Sequence, residues 1–322
     1  MMAVVEIAWW HWAVFIACVL VFLALDLGVF HRHAHMVKIK EASIWTLVWF
    51  SLAMLFALGL KPLRGDQAAL QFVTGYLVEL SLSMDNVFVI ALIFSYFGVP
   101  HRFQHRVLYW GILGALVMRG AMIGIGIALI NLVSWVLYAF GAFLLYSGFK
   151  MLFVQAEVHP EKNRVVRWVR KVYPVTPTIE GQKFVTKWEG RTALTPLALV
   201  LVMIETTDLL FAVDSIPAIF AVTRDPFIVF TSNVFAILGL RSLYFLLAGA
   251  LQYFRFLKYG LALVLMFMGV EMLLDPHDQP PRWFQFETPT SISLLVVVGI
   301  LLFSILLSLL AAHRERRRAK SG

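Results

Sequence analysis

Nine apolar stretches, each close to the roughly 20 residues that a helix needs to cross a bilayer, dominate this sequence. They lie near 9–30, 43–60, 70–97, 107–130, 133–154, 194–222, 227–250, 256–275 and 290–311. In hydrocarbon a backbone N–H or C=O finds no water, so a spanning segment must satisfy itself as a helix or join a closed barrel. Runs of this length point to helices. The expected fold is an all-α polytopic membrane protein with about nine transmembrane helices. Composition closes the alternatives: the chain is 61% apolar and 14% charged, where soluble domains run at about 45–50% and about 25%. A soluble domain of 322 residues could not enclose that much apolar surface. The first run has only Glu6 and no basic residue before it, and it is too long for a cleavable signal. The single Cys18 rules out an internal disulfide, a CxxC relay and a cysteine-based zinc site.

Charge sets the expected orientation. With the N-terminus outside and the C-terminus in the cytoplasm, the inner segments carry twenty Lys and Arg residues and the outer segments four. Those four are Lys61, Arg64, Arg224 and Arg282. This is a strong positive-inside bias, and it accounts for the net charge of +8 without a nucleic-acid partner; the basic residues face anionic lipid. Within the basic inner loop, Val165, Val166, Trp168, Val169 and Val172 alternate with Arg164, Arg167, Arg170 and Lys171. That pattern suggests a short amphipathic helix lying on the inner surface. Trp9, Trp10, Trp12 and Trp283 sit at span ends, as in an aromatic belt. His31, His33, His35, His101 and His105 read as solvated loop residues.

The chain repeats itself. Glu79-Leu-Ser-Leu-Ser-Met-Asp85-Asn86 matches Asp208-Leu-Leu-Phe-Ala-Val-Asp214-Ser215. An intramembrane arginine follows in each half, Arg119 and Arg241, and then Gly148-Phe-Lys-Met-Leu152 matches Gly269-Val-Glu-Met-Leu273. Each copy holds three helices, an odd number, so the second copy must be inverted relative to the first. The organisation expected is two N-terminal helices (1–69), repeat one (70–154), a basic cytoplasmic loop (155–193), inverted repeat two (194–275), and a last helix with a basic tail (276–322). Inverted repeats are a transporter architecture, with the substrate near the midplane at the repeat interface.

Acids inside the spans sharpen this. Glu79, Asp85, Glu205, Asp208 and Asp214 fall within apolar runs, and Asp26 lies near the inner end of the first. If all five central acids were charged, insertion would cost on the order of 10–15 kcal/mol. Arg119 and Arg241 can neutralise two; a bound cation or protons must offset the rest. Residues six apart on a straight helix point about 120° apart, so Glu79 and Asp85 would not share a face, nor would Asp208 and Asp214. Glu205 and Asp208, three apart, share one. Pro217 removes a helical hydrogen bond and frees the Val213 carbonyl. A local unwinding near 214–217 would turn Asp214 inward and add a carbonyl ligand. The candidate metal ligands are Asp85, Asp214, Glu79, Asp208, Glu205 and Asn86, supported or charge-balanced by Arg119, Arg241, Ser215, Asn233 and Asp26. This all-oxygen set suits Mg²⁺, Ca²⁺ or Mn²⁺ rather than Cu⁺ or Zn²⁺. The sequence holds no Walker, HExxH or GxSxG motif, so no enzyme activity and no tightly bound cofactor are expected.

Glu79, Asp85-Asn-Val-Phe88 and Phe211-Ala-Val-Asp-Ser-Ile-Pro-Ala-Ile-Phe-Ala-Val222 resemble the two signatures of the TerC family of integral membrane proteins. The resemblance runs from Asp26 to about Leu274, and its most specific stretch is Asp208 to Gly249. Within the family the chain is most similar to a pH-responsive branch, through His35–Phe56 and Phe94–Pro100; Leu80 stands where that branch carries lysine. The resemblance implies Mn²⁺ export from the bacterial cytoplasm across the inner membrane, with links to alkaline pH and tellurite resistance. The family's intramembrane acids match Glu79, Asp85, Glu205, Asp208 and Asp214. Mn²⁺ efflux by alternating access is thus expected, with Asp85 and Asp214 as central ligands. A Ca²⁺ or general divalent cation/proton antiporter is one alternative. A scaffold docking a metal-delivery or stress-response partner through the 155–193 loop is another. Self-association or a membrane partner stays open.

Overall fold

The computed structural model describes residues 7–25, 39–133, 135–153, 163–188, 190–248, 256–275, 283, 285–286 and 288–321. It is an all-α bundle, as expected: α1 (Trp9–Leu25), α2 (Ile39–Tyr96), α3 (His101–Leu132), α4 (Val136–Phe153), α5 (Arg164–Val172), α6 (Pro196–Val222), α7 (Pro226–Ala248), α8 (Leu257–Leu274) and α9 (Thr290–Ser321). A small antiparallel hairpin, β1 (Val185–Trp188) and β2 (Arg191–Leu194), lies between α5 and α6. Among the described residues seven helices are long and apolar enough to cross a membrane. At about 1.5 Å per residue the 58-residue α2 can cross twice, and α1 supplies a shorter apolar helix. Each of the nine expected spans therefore falls on a helix over most of its described residues.

The break in α2 falls at Gly65, with φ 89° and ψ 171°, a conformation that a Cβ would disfavour. Pro62 precedes it, and Lys61 and Asp66 pair across it at 2.9 Å. The expected unwinding at Asp214–Pro217 does not occur. Helix α6 runs unbroken through Pro217, because Ile216, Ala218 and Ile219 are locked into a buried cluster with α8, and that packing holds the backbone helical on both sides of the missing bond.

Two contact patterns express the internal repeat. Helix α4 packs along α8, where a Cβ at Gly148 would meet the Ala262 carbonyl oxygen at 2.7 Å and one at Gly269 would meet the Gly141 oxygen at 2.8 Å. The two helices are therefore antiparallel. With Gly148 aligned on Gly269, Gly141 falls on Ala262, so each contact is the image of the other. The second half of α2 runs against α6 in the same way. Gln71 accepts a hydrogen bond from Thr223, Gly75 abuts Ile219, and Asn86 donates to Asp208. One chain rises as the other descends, in one constant register.

The basic loop is folded against the bundle. Asn163 caps α5 by accepting from Val165 N and Val166 N. The α5 stripe divides: Val166 and Val169 are buried in one apolar cluster with Leu197 and Val200 of α6, while Val165, Trp168 and Val172 stay exposed. The expectation of a helix lying on lipid is thus corrected in part, since the protein takes two of its five apolar residues. His105 is buried within α3, and His101 opens that helix, so neither is a loop residue. Asp26, His31, His33 and His35 lie outside the described residues.

Candidate functional site

Glu79 of α2 and Asp208 of α6, the equivalent acids of the two repeats, share one centre through Arg119. Arg119, from the middle of α3, reaches between them and is 2% exposed. Its Nη2 donates to Asp208 Oδ1 at 3.1 Å and its Nε to Asp208 Oδ2 at 3.3 Å, the fork geometry that makes arginine–carboxylate pairs strong. Nη1 pairs with Glu79 and donates to Asn233 Oδ1 at 3.1 Å and to Ser215 Oγ at 3.4 Å. Asn233 in turn donates to Glu79 Oε2 at 3.2 Å, and Asn86 to Asp208 Oδ1 at 3.2 Å. Two carboxylates, 1% and 8% exposed, thus share one guanidinium in a single hydrogen-bonded set. Burial of this kind is tolerable only with such pairing.

The other predicted ligands stand apart from this set. Asp214 accepts a hydrogen bond from Ser147 Oγ of α4 at 2.5 Å and feels the charge of Lys150. Asp85 feels the charge of Lys258 on α8. In the α2–α6 register Asp214 is level with Leu80, so Asp85 lies about 7–8 Å further along the axes. The two residues expected to be central ligands thus meet two helices that pack on each other, α4 and α8, and are offset along the axes. Glu205 is aimed at α3, where a Cβ on Gly114 would collide with its carboxylate; the missing side chain makes its slot. Glu205 Oε2 is buried without a hydrogen-bond partner. Among the described residues no three His, Cys, Asp or Glu side chains converge as a metal would require.

Beside the cluster lies a cavity of about 20 Å³, walled by Asn86, Gly111, Thr207, Asp208 and Arg241 among others. That is room for one water-sized occupant. Of the supporting residues expected from the sequence, Arg119, Ser215 and Asn233 join the acid cluster, and Arg241 lines this cavity.

Residues 64–317, the segment that contains this whole arrangement, match the family described as Integral membrane protein TerC family. The chain belongs to the TerC family. An uncharacterized membrane protein of Myxococcus xanthus is 51% identical over 305 residues, covering 94% of this chain and 92% of the relative. A protein of Escherichia coli K12 named putative membrane-bound redox modulator Alx is 45% identical over 321 residues, covering 95% and 96%. A further uncharacterized membrane protein, from Rickettsia felis, is 39% identical over 300 residues. No solved structure matches the chain. This member of the TerC family is thus a multi-span integral membrane protein with bacterial relatives.

Ser147 and Gly114 are the site residues that sequence reasoning missed. Ser147 is a hydroxyl in an otherwise apolar span, next to the Gly148 that marked the repeat. Gly114 is one of five glycines in its span, with Gly111, Gly120, Gly124 and Gly126, a composition that by itself says only that helices can approach closely. Its particular neighbour, a carboxylate, has no trace in the local sequence.

Proposed function

We propose that this protein moves divalent metal ions, Mn²⁺ foremost, out of the bacterial cytoplasm across the inner membrane, N-terminus outside and C-terminus inside, and so serves metal homeostasis at alkaline pH. The observation that carries the reading is the pair Glu79 and Asp208: one acid from each repeat, buried at the repeat interface and bridged by a guanidinium. A buried arginine between two carboxylates holds the place of a cation, and a divalent ion competing for those oxygens must displace it. Alternating access then amounts to exchanging guanidinium for metal as one repeat moves against the other. Asp85 and Asp214, where α2 and α6 meet the α4–α8 pair, serve as relay carboxylates beside the centre, each within reach of a lysine's charge. Oxygen donors of this type suit Mn²⁺, and the direction and the preference for manganese rest on the family resemblance.

The test is cellular manganese, read by mass spectrometry in cells loaded with Mn²⁺. Expression of the wild type should lower it. Glu79→Gln/Asp208→Asn and Asp85→Asn/Asp214→Asn should each abolish the effect at equal membrane abundance. If wild type and both variants leave every divalent metal unchanged, the transport reading fails.

A further inference from the structure

The cluster around Arg119 has an image. The repeat that pairs Glu79 with Asp208 and Asn86 with Ser215 spans 129 positions, and the one that pairs Arg119 with Arg241 spans 122. The second spacing also pairs Asn233 with Gly111. Arg119 is held by Asp208, Glu79, Ser215 and Asn233. The images of those residues are Glu79, Asp208, Asn86 and Gly111, and three of the four, Asp208, Asn86 and Gly111, wall the small cavity together with Arg241. The cavity is open because Gly111 has no side chain where its image Asn233 has a carboxamide. It also holds a waiting acceptor: Asn86 is 4% exposed and its Oδ1 is buried without a hydrogen-bond partner, where its image Ser215 accepts from Arg119.

We infer that this cavity is a second arginine seat, and that Arg241 enters it to hold Asp208 and Asn86 when Arg119 lets go. The structure is then one of two end states related by the internal two-fold, and the two arginines alternate as the residues that lock each state. This rests on the transport reading and deepens it, since it says which groups hold the acids at each end of the cycle. Arg241 is a positioning residue here: it biases a two-state equilibrium through its interaction with Asp208, and removing it favours the state that does not use it.

Thiol labelling of the purified protein tests this with no metal present. Ile90→Cys and Ile219→Cys are image positions near the two ends of the α2–α6 contact, each placed in a Cys18→Ala background. The quantity read is the ratio of their labelling rates with a water-soluble maleimide, with Arg119→Gln/Arg241→Gln as the unbiased reference. Arg119→Gln and Arg241→Gln should move that ratio in opposite senses, each by at least about threefold. Shifts in the same sense, or no difference between the two variants, overturn the proposal. Should Arg241→Gln not yield a folded protein by size exclusion, Gly111→Val serves instead. A Cβ there sits 3.4 Å from Ile204, so the substitution projects into the seat and narrows it. Added to Arg119→Gln, it should cancel that variant's shift; if the shift persists, the cavity is no seat. Failure of the transport reading is separate, because it appears in cellular manganese and not in these rates.

Discussion

Replacing Arg119 with glutamine tests whether a metal ion and a guanidinium compete for the same oxygens. Arg119 is 2% exposed and makes two bonds to Asp208, at 3.1 and 3.3 Å, along with its pairing to Glu79. Removing one partner of a buried ion pair typically costs about 3–5 kcal/mol, because the remaining charge is left uncompensated. A cation that takes these carboxylates in the wild type must first break the same pairing. With tenfold in affinity per about 1.4 kcal/mol, deleting the guanidinium should tighten divalent binding by at most roughly 100- to 4,000-fold. Glutamine retains a donor, which places the expected gain near the lower end. The assay is thermal unfolding of the purified protein in detergent, with and without Mn²⁺, paired with a calorimetric titration. Without metal, Arg119→Gln should melt well below the wild type. At Mn²⁺ about a hundredfold over its dissociation constant it should recover about 2.7 kcal/mol, while the wild type gains much less. Turnover should fall, since tightly held metal leaves slowly. If the variant melts early and Mn²⁺ restores nothing, the guanidinium is a structural clamp and the acids are no cation seat.

Two further substitutions probe the frame that positions the site. Gly148→Ala and Gly269→Ala each push a Cβ against backbone, at 2.7 and 2.8 Å, and a backbone neighbour cannot turn away. Each should cost about 1–3 kcal/mol by chemical or thermal unfolding, whereas Gly124→Ala, with nothing within 4 Å, should be neutral or stabilising. Asp225 accepts from Phe227 N at 2.9 Å and Ile228 N at 3.2 Å while pairing with Arg64 at 2.6 Å. Asp225→Ala should cost about 1–2 kcal/mol as a lost helix cap, and Asp66→Ala, whose pair with Lys61 is exposed, should change the melting point little.

Much of the architecture was legible because its signals are local. A run of apolar residues declares its own length, and hydrocarbon leaves such a run one way to satisfy its backbone. The list of intramembrane acids and the two arginines was legible for the same reason: charge within a span is rare and has to be offset. Pro217 misled because a missing backbone bond is visible in sequence, while the packing of Ile216, Ala218 and Ile219 that tolerates it is not. The helix breaks instead at Gly65, next to the charged turn at Lys61–Asp66.

The sequence by itself determined the spans, the internal repeat, the intramembrane carboxylates and the family. Only the tertiary structure decided which acids meet. Asp85 and Asp214 are equivalent in the repeat, as are Glu79 and Asp208, and spacing along one helix cannot choose between the pairs. The choice is made by which third helix packs on each face of the antiparallel α2–α6 pair. Arg119 of α3 reaches Glu79 and Asp208, while Asp214 meets Ser147 of α4 and Asp85 feels Lys258 of α8. A side chain's partner across a helix interface is a property of packing between segments far apart in the chain, and no local pattern carries it.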